Sequence, residues 1–175
     1  MDISTSDAAW KNVECNWLVV GVTESPDLSG PLGELDTALS GTISRLIEAG
    51  DLKGKLAELL PLHDAPGVAA DRVLFVGLGK SDELTRARFE KAAMSAVRKV
   101  SSKADTSAAI CLLGSGIGAV SSSVAAETAA TAIVVGSQGQ DSLKAEPGHF
   151  PLAAASIVVS DGDQSETAAA VERGT

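Results

Sequence analysis

The chain has no tyrosine, and aromatic residues make up only 3% of its 175 residues. Proteins that bind single-stranded nucleic acid stack bases on exposed aromatic side chains beside basic residues, and few such pairs are available here. Basic residues are also outnumbered, 14 against 23 acidic ones, which gives a net charge of −9. A field of that sign repels phosphate backbones and anionic lipid surfaces, so the composition disfavours nucleic acid and membranes as partners.

Cysteine is scarce as well. Cys15 and Cys111 both lie within apolar runs typical of strands, where a free thiol behaves as a small hydrophobe. Two such residues form neither a disulfide framework nor a metal-ligand spacing, which favours a reducing, cytoplasmic compartment. The polar residues 1–7 predict no secretory signal, and no apolar run approaches the roughly 20 residues that a membrane span requires.

Histidine is the third scarce residue type, represented by His63 and His149. Both stand in turn-rich segments, and no His, Cys, Asp and Glu cluster has metal-ligand spacing, so we interpret both as surface residues. A Ser-His-Asp triad would have to combine Ser115, His63 and Asp64, but no G-x-S-x-G elbow is present. We therefore predict no catalytic and no metal-binding residue in this chain.

What the chain does contain is a regular alternation of strand and helix patterns. The best-marked strand lies in Asp71–Lys80, whose apolar run is followed by the turn Gly77-Leu78-Gly79-Lys80. Further strands are predicted at 15–22, 56–62, 108–113 and 154–160, and helices at 33–47, 85–103, 119–135 and 165–173. Gly50 is the predicted stop of the first helix, and 136–151 is a predicted loop.

The order of these elements predicts the fold. Helices separate most of the strands, so the right-handed crossover rule predicts a three-layer α/β/α sandwich. The connection at 63–68 is too short for a crossover helix, which makes strand 56–62 an antiparallel edge strand of a mixed, mostly parallel sheet. We place one α/β domain at 15–163, preceded by a segment, 1–14, that fits either a frayed end or an edge strand, and followed by a helical segment at 164–175.

Two glycine turns follow strands and raise the question of phosphate binding. Gly114-Ser115-Gly116-Ile117-Gly118 opens a helix, where backbone N–H groups can hold a phosphate. Its match to the dinucleotide fingerprint is weak, because Ala119 occupies the sixth position and no acidic residue follows at the expected place. A structural turn is the preferred interpretation. A nucleotide-binding role for Lys80 is a minor alternative, since the turn that contains it lacks the upstream glycine of a phosphate loop.

Charged residues on two predicted helices have a structural and a functional interpretation. On the predicted helix 85–103 we interpret the basic residues as a solvated face, namely Arg86, Arg88, Lys91, Arg98, Lys99 and Lys103. On the predicted helix 119–135, the apolar surroundings of Glu127 could raise its pKa and make it an acid catalyst. A carboxylate that is paired across a helix interface is the more common arrangement.

Taken together, these motifs resemble the N-terminal domain of the cytosol aminopeptidase family, the leucyl aminopeptidases of peptidase family M17. The resemblance is carried by Val73-Leu74-Phe75-Val76-Gly77-Leu78-Gly79-Lys80, Leu84-Thr85 and Arg88-Phe89-Glu90-Lys91-Ala92-Ala93, with support from 50–55 and 141–146. The chain departs from the family pattern at Thr128, where a glycine is expected, and at 136–140, where an aromatic-rich segment is expected.

The resemblance implies a macro-domain-like fold without an active site. The family's metal ligands and its catalytic lysine and arginine lie in a C-terminal domain, in a signature of the type Asn-Thr-Asp-Ala-Glu-Gly-Arg that does not occur here. Residues 164–175 would begin the helix that leads to that domain. The parent protein is then expected to remove N-terminal amino acids from peptides with two divalent metal ions, zinc or manganese, bound in that absent domain.

The implied partners are the C-terminal catalytic domain and sister subunits of a hexamer, and the implied role is assembly and access to the catalytic domain. Some bacterial members of the family bind DNA, which the net charge of −9 disfavours here. The alternative is a free-standing macro-like module that binds ADP-ribose or another nucleotide through the turn Gly114, Ser115, Gly116 and Gly118.

Overall fold

The computed structural model describes residues 2–112, 118–138, 148–159 and 164–175. The strands in these ranges are β1 (Asp2–Ser6), β2 (Trp17–Thr23), β3 (Leu59–Leu62), β4 (Arg72–Gly79), β5 (Ser107–Leu112) and β6 (Ala154–Val159). The helices are α1 (Pro31–Ala38), α2 (Thr42–Ala49), α3 (Arg86–Val100), α4 (Ser122–Gln138) and α5 (Gln164–Gly174). Short 3-10 helices cover Trp10–Asn12 and Ser81–Glu83.

The strands form a single sheet in the order β1-β6-β5-β2-β4-β3. Every neighbouring pair is parallel except β3 with β4, which is antiparallel. This confirms the predicted mixed, mostly parallel sheet and its antiparallel edge strand. All residues of β2, and all of β4 after Arg72, are buried, as expected for interior strands that are covered on both faces.

Each face of the sheet carries its own apolar core, because successive side chains of a strand point to opposite faces. Leu74 and Val76 of β4 pack into a core with α3, α4 and α5, whereas Val73 and Phe75 pack into a core with α1 and α2. Helices therefore cover both faces, and the three-layer α/β/α sandwich is confirmed.

The prediction of one helix over 33–47 is wrong, because two helices occupy this stretch. The chain turns at Ser40, with φ of +56°, and at Gly41, with φ of +75°. Asp36 stabilises the break, because its Oδ1 accepts hydrogen bonds from the backbone N–H of Ile43 at 2.7 Å and of Ser44 at 3.1 Å. Gly50, also left-handed with φ of +75°, ends α2 as predicted.

A second correction concerns the loop predicted from Gly136, because α4 continues to Gln138. A Cβ atom at Gly136 would lie 3.0 Å from Cγ1 of Val97, so the glycine allows α4 to approach α3 closely. The rest of that predicted loop, from 139 to 147, lies outside the described residues. At the other end of the chain, residues 2–6 form the edge strand β1, which pairs with β6.

Candidate functional site

The glycine turn after β4 is fixed by backbone hydrogen bonds. The N–H of Gly77 donates to the carbonyl of Glu58, and the N–H of Gly79 donates to the carbonyl of Gly54, both at 2.8 Å. A Cβ atom at Gly77 would lie 1.8 Å from the carbonyl oxygen of Lys55. Gly77 therefore allows a close backbone approach, and Gly79 adopts a left-handed φ of +80°. Both amides already have carbonyl partners, so neither glycine offers a free N–H group to a phosphate.

Lys80, at the end of this turn, belongs to a surface network of three charges. Its Nζ lies 3.2 Å from Oε1 of Glu83, and Oε2 of Glu83 lies 2.7 Å from Nη1 of Arg88. The hydrogen bond from Arg88 is the main reason that the pKa of Glu83 is lowered, and the hydrogen bond to Glu83 raises the pKa of Lys80. Lys80 is thus an exposed, already paired cation.

Gly118 connects the second glycine turn to the first. Its φ of +63° is left-handed, and a Cβ atom there would lie 2.5 Å from the carbonyl oxygen of Ser81. The N–H of Ala119 donates to the carbonyl of Leu84 at 3.3 Å. The end of the second turn therefore packs directly on the 3-10 helix that follows β4. Gly114, Ser115 and Gly116 lie outside the described residues, so phosphate binding at this turn stays a prediction.

Glu127 links three helices on one face of the sheet. Its Oε1 accepts a hydrogen bond from Nη2 of Arg86 on α3 at 2.8 Å, and its Oε2 accepts one from Nε of Arg173 on α5 at 3.3 Å. These two guanidinium groups lower the pKa of Glu127. The alternative of an acid with a raised pKa is therefore wrong, and the interpretation as a paired carboxylate is confirmed.

The basic residues of α3 divide into two groups. Arg86 and Arg88 form the ion pairs just described with Glu127 and Glu83. Lys91, Arg98 and Lys99 are exposed, as a solvated face would be, and Lys103, also exposed, lies beyond the end of α3 at Val100.

His63 and His149 lie in different surroundings. His63 is exposed, and its ring centroid lies 5.8 Å from that of Trp17 in an edge-on contact. The guanidinium of Arg72 lies 5.4 Å above the same indole. The surface interpretation is correct for His63, whereas His149 is partly buried.

Cys111 is buried and Cys15 is partly buried. Cys15 precedes β2 by two residues, which corrects its predicted position inside a strand, and burial raises the pKa of its thiol to about 11. Cys111 lies in β5, and burial raises the pKa of its thiol well above the ordinary value. Both thiols stay protonated at neutral pH, as inert buried cysteines do.

Neither a metal-binding cluster nor a membrane-spanning helix is present in residues 2–112, 118–138, 148–159 and 164–175. In these ranges no three His, Cys, Asp or Glu side chains are grouped closely enough to hold a metal ion. Nor does any helix there combine the length and the apolar character needed to cross a bilayer.

A cavity of about 370 Å³ lies between the segment that follows β1 and the first turns of α1, and no sequence pattern indicated it. Its lining includes Asp7, Trp10 and Lys11 on one side and Glu34 on the other. Residues from two separate segments form it, and no single motif could have predicted it.

The strand order and the two helical layers define a protein of the macro-domain fold class. A macrodomain of Oceanobacillus iheyensis, solved with ADP, superposes with a TM-score of 0.65 at 13% identity, over 98% of this chain and 87% of that one. At this identity the likeness shows the fold alone. It agrees with the predicted macro-domain-like architecture.

The sequence model of the cytosol aminopeptidase family, N-terminal domain, matches residues 19–147, and the chain belongs to this family. A probable cytosol aminopeptidase of Cupriavidus pinatubonensis is 41% identical over 120 residues, which cover 64% of this chain and 24% of the relative. A mutant of tomato leucine aminopeptidase superposes with a TM-score of 0.75 at 23% identity, over 98% of this chain and 35% of that one. The chain spans about a quarter of the length of the curated relatives it matches.

Proposed function

We propose that this chain is the non-catalytic N-terminal accessory and assembly domain of a leucyl aminopeptidase. The observation that carries the proposal is the family match over residues 19–147 in a chain that spans about a quarter of its curated relatives. The longer parent protein is a hydrolase that removes N-terminal amino acids from peptides in the cytoplasm. Its two divalent metal ions, zinc or manganese, are assigned to the catalytic domain.

The proposed partners are that catalytic domain and sister subunits of a hexamer. Support for a rigid connection comes from the end of α5. The Oγ1 of Thr131 donates to the carbonyl of Gly174 at 3.1 Å, and a Cβ atom at Gly174 would lie 2.3 Å from the carbonyl oxygen of Glu127. Together with the Arg173 ion pair, these contacts fix α5 against α4. If α5 leads to the catalytic domain, the same contacts set the direction in which the chain leaves this domain.

The proposal is tested by separating activity from assembly. The isolated 175-residue chain, supplied with Mn²⁺ or Zn²⁺, is expected to give no turnover of leucine p-nitroanilide, whereas the full-length parent hydrolyses it. Removing residues 1–175 from the parent is expected to reduce the size of the assembly, measured by light scattering. Metal-dependent turnover by the isolated chain would contradict the non-catalytic role, and an unchanged assembly would contradict the assembly role.

A second candidate is a macro-like module that binds ADP-ribose or another nucleotide. The observation in its favour is the fold shared with a macrodomain that was solved with ADP, together with the position of Gly118 beside the turn that follows β4. Thermal unfolding with millimolar ADP-ribose separates the two candidates, because a ligand that binds only the folded state raises the Tm. An unchanged Tm removes this candidate. A rise of several degrees that is lost in Gly116→Leu supports it.

A further inference from the structure

The strand β1 and the helix α5, which lie at opposite ends of the chain, meet at one edge of the sheet. β1 pairs with β6 and is the outermost strand on its side of the sheet. Among the strands and helices that the structure describes, β6 and α5 are the elements in extensive contact with β1. α5 covers the same face of the sheet as α3 and α4. The strand is therefore held by β6 along its edge and by α5 on one face.

The sequence of β1 provides little apolar surface with which the strand could stay on the sheet. In Asp-Ile-Ser-Thr-Ser, Ile3 is the single apolar residue. Ile3 is partly buried and packs against the core cluster to which α5 contributes Ala170 and Val171. Its pairing with Ala155 places it on the face that α5 covers, because Ala155 belongs to the same cluster. If α5 were absent, Ile3 would lose this cover, and backbone hydrogen bonds to β6 alone would hold the strand.

The helix α5 is anchored by a short row of residues. Among its described residues, Thr167, Ala170 and Val171 are buried. Its last turn adds the contacts that Arg173 and Gly174 make with α4. A helix of 11 residues is marginal in water by itself, so α5 loses its helical structure when it leaves α4. Segments with so few buried side chains open at a lower free energy than the whole domain.

We propose that α5 is a strap that holds β1 on the sheet, and that the two segments open together as one unit. When α5 leaves α4, Ile3 loses its cover and β1 separates from β6, while the rest of the sheet stays folded. This separation uncovers the edge of β6, an apolar strand in which Ile157 and Val158 are fully buried. An apolar strand edge is a surface that soluble proteins keep covered, because it can pair with another chain.

The coupling is a property of this chain and does not rest on the function proposed above. If that function holds, the parent protein continues beyond α5, and a movement of the next domain that lifts α5 would also release residues 2–6. Because the coupling is measured on the 175-residue chain without any peptidase assay, a failure of one proposal leaves the other intact.

Native-state hydrogen exchange, followed by NMR, measures the opening of each segment separately. Val171→Ala removes two methyl groups from the buried face of α5, and it is expected to speed the exchange of the α5 amides about tenfold. Because the two segments open together, the β1 amides that bond to β6 should exchange faster by the same factor. If exchange accelerates in α5 and stays unchanged in β1, the strand frays independently and the proposal is wrong.

Val97→Ala is the matched control, since Val97 is an equally buried valine of the same core cluster but lies on α3. It is expected to speed exchange in β4, a core strand that opens only when the whole domain unfolds, and to leave α5 and β1 unchanged. A β1 that responds to Val97→Ala as strongly as β4 would show that the strand opens only with the whole domain, which would also overturn the proposal.

A variant of β1 tests the coupling in the opposite direction, because an interaction free energy between two segments is reciprocal. Ile3→Ala is expected to speed the exchange of the β1 and α5 amides by the same factor. Ser4→Ala, at an exposed position of the same strand, is expected to leave the α5 amides unchanged. An acceleration by Ile3→Ala that is confined to β1 would show that α5 does not open with the strand, and would contradict the single unit.

Discussion

Oε1 of Glu127 on α4 accepts a hydrogen bond from Nη2 of Arg86 on α3 at 2.8 Å, although 41 residues separate them in the chain. The other carboxylate oxygen accepts from Arg173 on α5. The two arginine side chains are 56% and 57% exposed, and that of Glu127 is 24% exposed. One carboxylate therefore joins three helices at a position where water screens the charges only in part.

Replacing Glu127 with Gln is expected to lower the Tm by no more than about 4 °C, because largely exposed ion pairs contribute little to stability. The folded-state pKa of Glu127 is lowered, so its contribution is complete above the ordinary value of 4.5 and is lost as the pH falls through the folded-state pKa. Calorimetric scans at pH 7 and pH 3 should show a smaller difference from wild type at pH 3 than at pH 7. A larger difference at pH 3 would contradict the assignment.

Replacing Gly77 with Ala is expected to reduce the free energy of unfolding by about 3 kcal/mol or more, because the new Cβ would meet the carbonyl oxygen of Lys55 at 1.8 Å. Gly30→Ala is the matched control, since nothing lies within 4 Å of a Cβ built there. Its effect should stay within about 1 kcal/mol, the size of a lost helix cap, because Gly30 is the N-cap of α1. Urea unfolding of both variants gives the comparison. Equal losses would show that the close approach at Gly77 is not the cause.

Replacing Asp36 with Ala is expected to cost about 1–2 kcal/mol, because the carboxylate accepts from two amides and from the hydroxyl of Ser44 at the start of α2. The neighbouring Thr37→Ala removes only a hydroxyl that donates to the carbonyl of Gly33 within α1. It should change stability by less than about 0.5 kcal/mol. If chemical denaturation ranks the two variants in the opposite order, Asp36 does not stabilise the break between the helices.

Cys15 in the folded chain is expected to react with Ellman's reagent about a hundredfold more slowly than an unperturbed thiol at pH 8. Burial raises its pKa to about 11 from an ordinary value of 9.0, and the thiolate is the reactive form. The Cys111→Ser variant isolates this thiol for stopped-flow measurement. Unfolding in guanidinium should restore the full rate. A fast reaction of the folded variant would show that Cys15 is more accessible than the structure places it.

Sequence patterns predicted those strands and helices whose burial and ends are determined by their own residues. The apolar run before Gly77 indicated a buried strand, and β4 is that strand. Thr85 indicated the start of α3, and its hydroxyl accepts a hydrogen bond from the N–H of Arg88 there. The break between α1 and α2 was missed because apolar residues keep helical spacing across it. Ser40-Gly41 was the available signal, but the partner that makes the break stable, Asp36, lies inside the first helix.

Other features depend on distant residues and could not be predicted from local patterns. The polar segment 2–6 becomes a strand because β6 offers it an edge. Gly136 lies where a Cβ atom would come 3.0 Å from Cγ1 of Val97, a contact with another helix that the local pattern does not show. The cavity lined by Trp10 and Glu34 likewise requires two segments to meet. Only the tertiary structure shows that the pKa of Glu127 is lowered, since both arginines that lower it come from other helices.

The pairing of β1 with β6 also has a consequence for folding. Asp2 of β1 lies beside Ala154 of β6 in parallel register, so this part of the sheet closes a loop of about 150 residues. Closing a loop of that length costs more entropy than forming the local contacts within β4 and α3, and pairings of high contact order form late. During synthesis residues 2–6 leave the ribosome about 150 residues before β6 and stay unpaired until β6 has emerged. The most N-terminal of the described strands is thus among the last to join the sheet.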